Sequence, residues 1–168
     1  MMKSKSGKIA SMGVMTGLAL IFSYVEFLIP VSAAVPGIKL GLANIIVVIA
    51  LYVYGTGYAF MLNIARILLS ALLFGNVFSA LYSLAGGLVS LAVMALLKKC
   101  SIFSVAGVSM AGGVFHNAGQ IALAALIMQT SQVFYYLPVL IFSGIALGLV
   151  NSIICTLVLR TVKKGVLS

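Results

Sequence analysis

Six apolar runs follow one another along this chain, with lysines and arginines gathered in the breaks between them. The runs cover about residues 9–29, 40–53, 58–74, 77–97, 104–128 and 135–159. A hydrocarbon core of about 30 Å takes roughly 20 apolar residues of helix to cross, and most of these runs reach that length. The second and third, roughly 14 and 17 residues, fall short, so one of them is expected to be tilted, kinked or partly re-entrant. Transmembrane barrel strands are about 9–11 residues with strict alternation, whereas these runs are longer and apolar all round, which points to helices. The overall composition agrees. The chain is 64% hydrophobic and 7% charged, against about 45–50% and 25% in soluble domains. A water-soluble globular domain, a disordered chain and a coiled coil are excluded together. The expected fold is an all-α membrane protein, a six-transmembrane-helix bundle forming a single integral membrane domain over residues 1–168.

The basic residues orient this bundle. Lys3, Lys5 and Lys8 precede the first run, Lys98 and Lys99 close the fourth, and Arg160, Lys163 and Lys164 follow the sixth. With the N-terminus inside, all eight fall on the cytoplasmic side and only Lys39 falls in an outer loop, the bias that positive-inside topology requires. Both termini are then cytoplasmic and the protein is a multi-pass protein of the cell membrane. A nucleic-acid-binding face would need these charges on one continuous surface, so no nucleic acid is expected as a partner. Ala33-Ala34 after Pro30 weakly imitates a signal-peptide cleavage site, but the preceding apolar run is too long, and the first helix is read as uncleaved. Cys100 and Cys155 are too few for a disulfide framework, lack metal-ligand spacing, and read as reduced packing residues.

Ionisable and amide side chains within these runs are functional candidates, because the bilayer makes them costly. Glu26 lies about one turn below the outer end of the first helix, Lys39 at the outer start of the second, Arg66 near the middle of the third and His116 near the middle of the fifth. Asn44 lies one turn into the second helix, Asn63 one turn from Arg66, and Asn117 and Gln120 flank His116. Arg66 at mid-membrane costs about 2.5–3.5 kcal/mol and needs a partner or a wet cavity. Glu26 is the one fixed anion. Paired with Lys39, it leaves Arg66 for an anionic ligand; paired with Arg66, it makes a lock between two helices. His116 is either a satisfied core histidine or part of a polar pocket. A second pattern, Ala10, Gly13 and Gly17, forms a small-residue stripe on the first helix that lets another helix approach, either within this chain or from a partner.

The scarcity of acid also excludes chemistry. With one Glu and no Asp, the chain has no paired carboxylates, no carboxylate-held metal and no Ser-His-Asp triad. Gly7-Lys8 is the only Gly-Lys pair, and no upstream glycine completes a phosphate-cradling loop. The protein is read as not itself an enzyme, with no cofactor, and any active transport must be driven by a partner or an ion gradient.

The run Pro36-Gly37-Ile38-Lys39-Leu40-Gly41-Leu42-Ala43-Asn44, Glu26 before Pro30, Arg66, the segment Tyr82 to Gly87 and His116-Asn117-Ala118-Gly119-Gln120 together resemble the family named both Gx transporter and heptaprenyl diphosphate synthase component I. The resemblance covers nearly the whole chain. In size and layout the family is similar to the substrate-binding S components of energy-coupling factor (ECF) transporters. Those six-helix proteins work with a transmembrane coupling subunit and two ATPases. The resemblance implies that Ala10, Gly13 and Gly17 dock the coupling subunit, glycines standing where such proteins carry alanines, and that the loop 31–39 lids an outward-facing pocket. The expected pocket is Glu26, Lys39, Asn44, Arg66, His116, Asn117 and Gln120, taking a small anionic, isoprenoid or vitamin-like substrate. The alternative implied by the family's second name is a non-catalytic membrane accessory subunit of heptaprenyl diphosphate synthase, in menaquinone side-chain synthesis. Prenyl diphosphate synthases resemble one another in using Asp-rich motifs, which this chain lacks.

Overall fold

The computed structural model describes residues 5–29 and 41–167. Among them lie six α-helices and no strand: α1 (Lys5–Leu28), α2 (Leu42–Val53), α3 (Thr56–Leu73), α4 (Val77–Cys100), α5 (Val105–Met128) and α6 (Leu137–Leu167), with a short 3-10 helix, Gln132–Tyr136, ahead of α6. Local signals set several boundaries. Gly55, at φ +95°, lets the chain turn between α2 and α3. Asn76 caps α4 by accepting from the Ser79 N–H at 2.7 Å, and Ser104 caps α5 by accepting from the Gly107 N–H at 3.3 Å. The sixth helix differs from the expected 135–159: it begins at Leu137 and runs on to Leu167, carrying the basic segment at Arg160, Lys163 and Lys164 into its last turns. Nothing in that segment breaks a helix.

Length and composition suit a multi-pass membrane bundle. Five helices, all but α2, are long and apolar enough to cross a bilayer. The second helix is short, as its run suggested: the 12 residues of α2 rise about 18 Å, less than the core thickness. The third helix, also expected to be short, has 18 residues and qualifies.

The short helix is the centre of the fold. Residues 45–51 of α2 are all buried, and around them close Ala19 of α1, Ala59 and Leu62 of α3, Leu91 and Met94 of α4, Val108 of α5 and Cys155 of α6. Opposite charges hold its two ends. At the start, Gly41 donates its backbone N–H to the Glu26 carboxylate of α1. In the last turn, the Leu51 carbonyl accepts from Lys98 Nζ of α4 at 2.6 Å, and the ammonium also lies 5.2 Å from the Tyr52 ring centroid. An anion at a helix N-terminus and a cation at its C-terminus both oppose the helix dipole favourably. Both cysteines are free thiols; Cys100 is exposed, and Cys155 Sγ lies 3.6 Å from the Ile45 carbonyl inside the core.

Glycines set the helix spacing on the other side. A methyl placed on Gly148 of α6 would stand 2.6 Å from Met110 Cα of α5, and one on Gly144 would stand 2.8 Å from the Val114 nitrogen. Between α4 and α5, a methyl on Gly86 would meet the His116 carbonyl at 2.6 Å, and one on Gly119 the Ala85 carbonyl at 2.8 Å. Backbones this close leave room for hydrogen only. Ser90 of α4 adds a hydrogen bond to the Gly112 carbonyl of α5 at 2.8 Å.

Candidate functional site

A cavity of about 350 Å³ lies where α1 ends and α2 begins, at the end of α2 opposite its Lys98 contact. All helices contribute to it. From α1 come Ser23, Glu26 and Phe27; from α3 Arg66 and Ser70, with Phe74 at its C-cap; from α4 Ser79 and Ser83. Asn44 of α2, with Ser109, His116 and Asn117 of α5, adds polar groups, and Gly144, Gly148 and Asn151 of α6 close the far side.

Glu26 lies in the last turn of α1, and its bond to the Gly41 N–H fixes the entry to α2. Gly41 must be a glycine for two reasons. Its φ is +69°, in the left-handed region, and a Cβ there would stand 3.2 Å from Asn151 Nδ2. That amide in turn donates to the Gly41 carbonyl at 3.1 Å, so one peptide is held between α1 and α6. The Gly41 carbonyl also accepts the Asn44 N–H at 2.9 Å, which closes the first turn of α2.

Arg66 is 9% exposed, in the middle of α3. Its Nη2 donates to Asn63 Oδ1, one turn earlier, at 2.7 Å, while its Nε is buried and has no hydrogen-bond partner. The Ser23 hydroxyl on the same cavity is likewise buried without a partner. A buried donor left unmade costs about 1–3 kcal/mol, more when charged, so both atoms mark a place where an acceptor is wanted. Glu26 lies within electrostatic reach of Arg66, but among the described residues the hydrogen bond it accepts comes from the Gly41 N–H and not from the guanidinium. Neither pairing considered from the sequence anticipated this backbone partner.

The remaining expected site residues divide. Asn44, His116 and Asn117 line the cavity with Glu26 and Arg66. Asn117 is also structural, for its Nδ2 donates to the Leu140 carbonyl of α6 at 2.8 Å. His116 packs its ring edge toward Gly86 of α4, where a methyl would stand 3.1 Å from Cε1. Gln120, expected in the pocket, is buried against Gly86 and is not part of the lining. It shares the face of His116, but its side chain is taken up by the close α4–α5 contact at Gly86. Lys39 and the loop 31–39 lie outside the described residues. Sequence reasoning missed Asn151, Ser23 and the other serines. Asn151 was legible as an amide inside an apolar run; attention to ionisable side chains and their neighbours passed it over.

On α1, a methyl added at Gly13 or Gly17 would meet nothing within 4 Å. Ala10 and Gly13 are exposed, and Gly17 is half-buried.

A family model described as heptaprenyl diphosphate synthase component I matches residues 15–158, and the chain belongs to that family. The match takes in every cavity residue named above, whereas Ala10 and Gly13 precede it. No curated protein and no solved structure matches the chain.

Proposed function

We propose that the protein is a non-catalytic membrane subunit that holds a small anionic ligand in the cavity around Arg66. The observation that carries this reading is the guanidinium itself: nearly buried, steadied through Asn63, and left with an unpartnered Nε on a polar cavity. Family membership favours the accessory-subunit form of this reading, in which the chain serves a heptaprenyl diphosphate synthase as its component I. With no Asp and its single Glu engaged by Gly41, the chain has no carboxylate pair to hold a metal–diphosphate complex. Prenyl transfer would then take place on a partner subunit.

A second reading keeps the same cavity in an S component of an ECF-type importer, with a coupling subunit and two ATPases as partners. The open surface over Gly13 and Gly17 supports it, since these glycines permit a close helix approach that no described residue of this chain makes. In both forms the chain acts as one integral membrane domain with its lysine clusters and termini in the cytoplasm, so that the cavity faces outward.

Purification of the full chain from membranes separates the two. Recovery with a prenyl synthase, and prenyl transfer that depends on this chain, supports the accessory role. Recovery with a coupling subunit and ATPases, lost on Gly13→Leu or Gly17→Leu, supports transport. Arg66→Ala should abolish retention of small molecules in the folded protein, measured by native mass spectrometry; a variant that merely unfolds would make Arg66 a structural residue.

A further inference from the structure

Two helices present the cavity with the same order of side chains. On α1, Ser23 is followed one turn later by Phe27; on α3, Arg66 is followed four residues on by Ser70, and Phe74 caps the end of the helix four residues after that. Residues four apart share a helix face. Each helix therefore runs from a buried polar group without a partner, Ser23 Oγ or Arg66 Nε, toward an aromatic ring on the cavity at or just past its end. The two rings meet across the gap, with centroids 5.7 Å apart, and Tyr24 packs edge-on to Phe74 at 5.5 Å. At 1.5 Å per residue, the rise from polar group to ring is roughly 6 Å on α1 and 12 Å on α3.

The charges on the lining restrict what fits. Among the described residues it carries one cation, Arg66, and one carboxylate, Glu26. The guanidinium matches one acid group, and the Glu26 carboxylate on the same lining disfavours further negative charge beside it. Size restricts it again. About 350 Å³ is near the lower end of the range of small-molecule pockets, roughly 300–1,000 Å³, which favours a compact ligand.

Resting on the reading of this cavity as a ligand site, we infer that its occupant is a compact monoanionic aromatic acid. The acid group lies at Arg66 and Ser23, and the ring lies against Phe27 and Phe74. The spacer between them is several bonds long, because the helical rise separates the polar groups from the rings. Asn63 is a positioning residue: it holds one edge of the guanidinium so that Nε–H stays available.

The test uses the full chain in detergent, with binding followed by equilibrium dialysis and by the rise in unfolding temperature that a native-state ligand produces. The probes are 4-phenylbutyrate, 4-cyclohexylbutyrate, benzoate, inorganic pyrophosphate and farnesyl diphosphate. The expected order puts 4-phenylbutyrate first, with the cyclohexyl analogue and benzoate severalfold weaker. Arg66→Gln should weaken 4-phenylbutyrate roughly tenfold to a hundredfold, as loss of a charged hydrogen-bond donor does, and Ser23→Ala roughly threefold to tenfold. Ser23→Ala removes no hydrogen bond that the fold uses, so its effect is readable even if Arg66→Gln folds poorly. Phe74→Leu should erase the advantage of phenyl over cyclohexyl. If pyrophosphate or farnesyl diphosphate binds more tightly than 4-phenylbutyrate, and through Arg66, the aromatic-acid inference is wrong while the ligand-holding function stands. If no probe binds in a manner sensitive to Arg66 or Ser23, both fall.

Discussion

Glycines four residues apart occur on α1 and on α6, and the two pairs do opposite things. Gly144 and Gly148 lie against the α5 backbone so closely that a methyl at either would overlap it. Gly13 and Gly17 have the same spacing, but no described residue meets a side chain placed there. Spacing alone says that a helix is able to come close; it does not say whether the helix that comes belongs to the same chain. In α5 and α6 the opportunity is used internally. On α1 it is left on the surface, beside exposed Ile9, Val14, Leu18 and Ile21.

The strongest way to break this comparison is to fill the α6 glycines. Gly148→Leu places a branched side chain where Met110 Cα already stands 2.6 Å from the methyl position, and neither helix backbone is free to yield. The expected cost is about 3 kcal/mol or more, the upper end of overpacking. Thermal unfolding of the purified variant measures it, and little folded protein is the expected result. An unchanged transition would mean that the α5–α6 approach is looser than described.

The next effect concerns how α1 is fastened. Its C-terminal turn is tied to the bundle through Glu26 and Gly41, while its N-terminal half carries the open stripe. Gly41→Ala forces an L-residue into the left-handed region and crowds the Asn151 amide. A loss of about 1–2 kcal/mol is expected from the backbone alone. Hydrogen exchange should show the loosening at the start of α2 and the end of α1, not at the α5–α6 contact. A smaller effect is expected at the α4–α5 contact. Ser90→Ala removes one hydrogen bond to the Gly112 carbonyl and should cost about 1 kcal/mol by thermal unfolding. If it costs more than Gly148→Leu, hydrogen bonds and not close backbone packing hold this side together.

Much of this architecture was legible in advance. Apolar runs marked the helices because a membrane span needs an uninterrupted length, and the breaks at Gly55 and Asn76 are chemically explicit. The central position of α2 was not legible. A 12-residue apolar run reads as a short span until the charges at its ends are known, and Glu26 and Lys98 reach those ends from 15 and 47 residues away. The site divided along the same line. Glu26, Asn44, Arg66, His116 and Asn117 announced themselves as polar groups in apolar surroundings, and the cavity gathers them. Gln120 shared their helix face, but the close approach of α4 and α5 at Gly86 takes up its side chain, and that approach is a tertiary contact. The backbone partner of Glu26 was missed because side-chain counting considers cations and overlooks a backbone N–H at a helix start.

The smallest effect on stability, and the most telling for function, belongs to the α1 stripe. Gly17→Leu adds a large side chain to a half-buried position with no neighbour within 4 Å of the methyl site, so thermal unfolding should move by no more than about 0.5 kcal/mol. Leu also forms helix more readily than Gly, which opposes any loss. The same holds for Gly13→Leu. If the stripe receives a partner helix, however, a leucine there should prevent the close approach that small residues permit. Stability and assembly should therefore separate: intact folding and intact binding of a cavity ligand, with loss of the co-purifying membrane partner. On the α6 glycines the two properties cannot be separated, because the helix they receive is part of the fold. A Gly17→Leu variant that folds, binds and still assembles would mean that the open face of α1 meets only lipid.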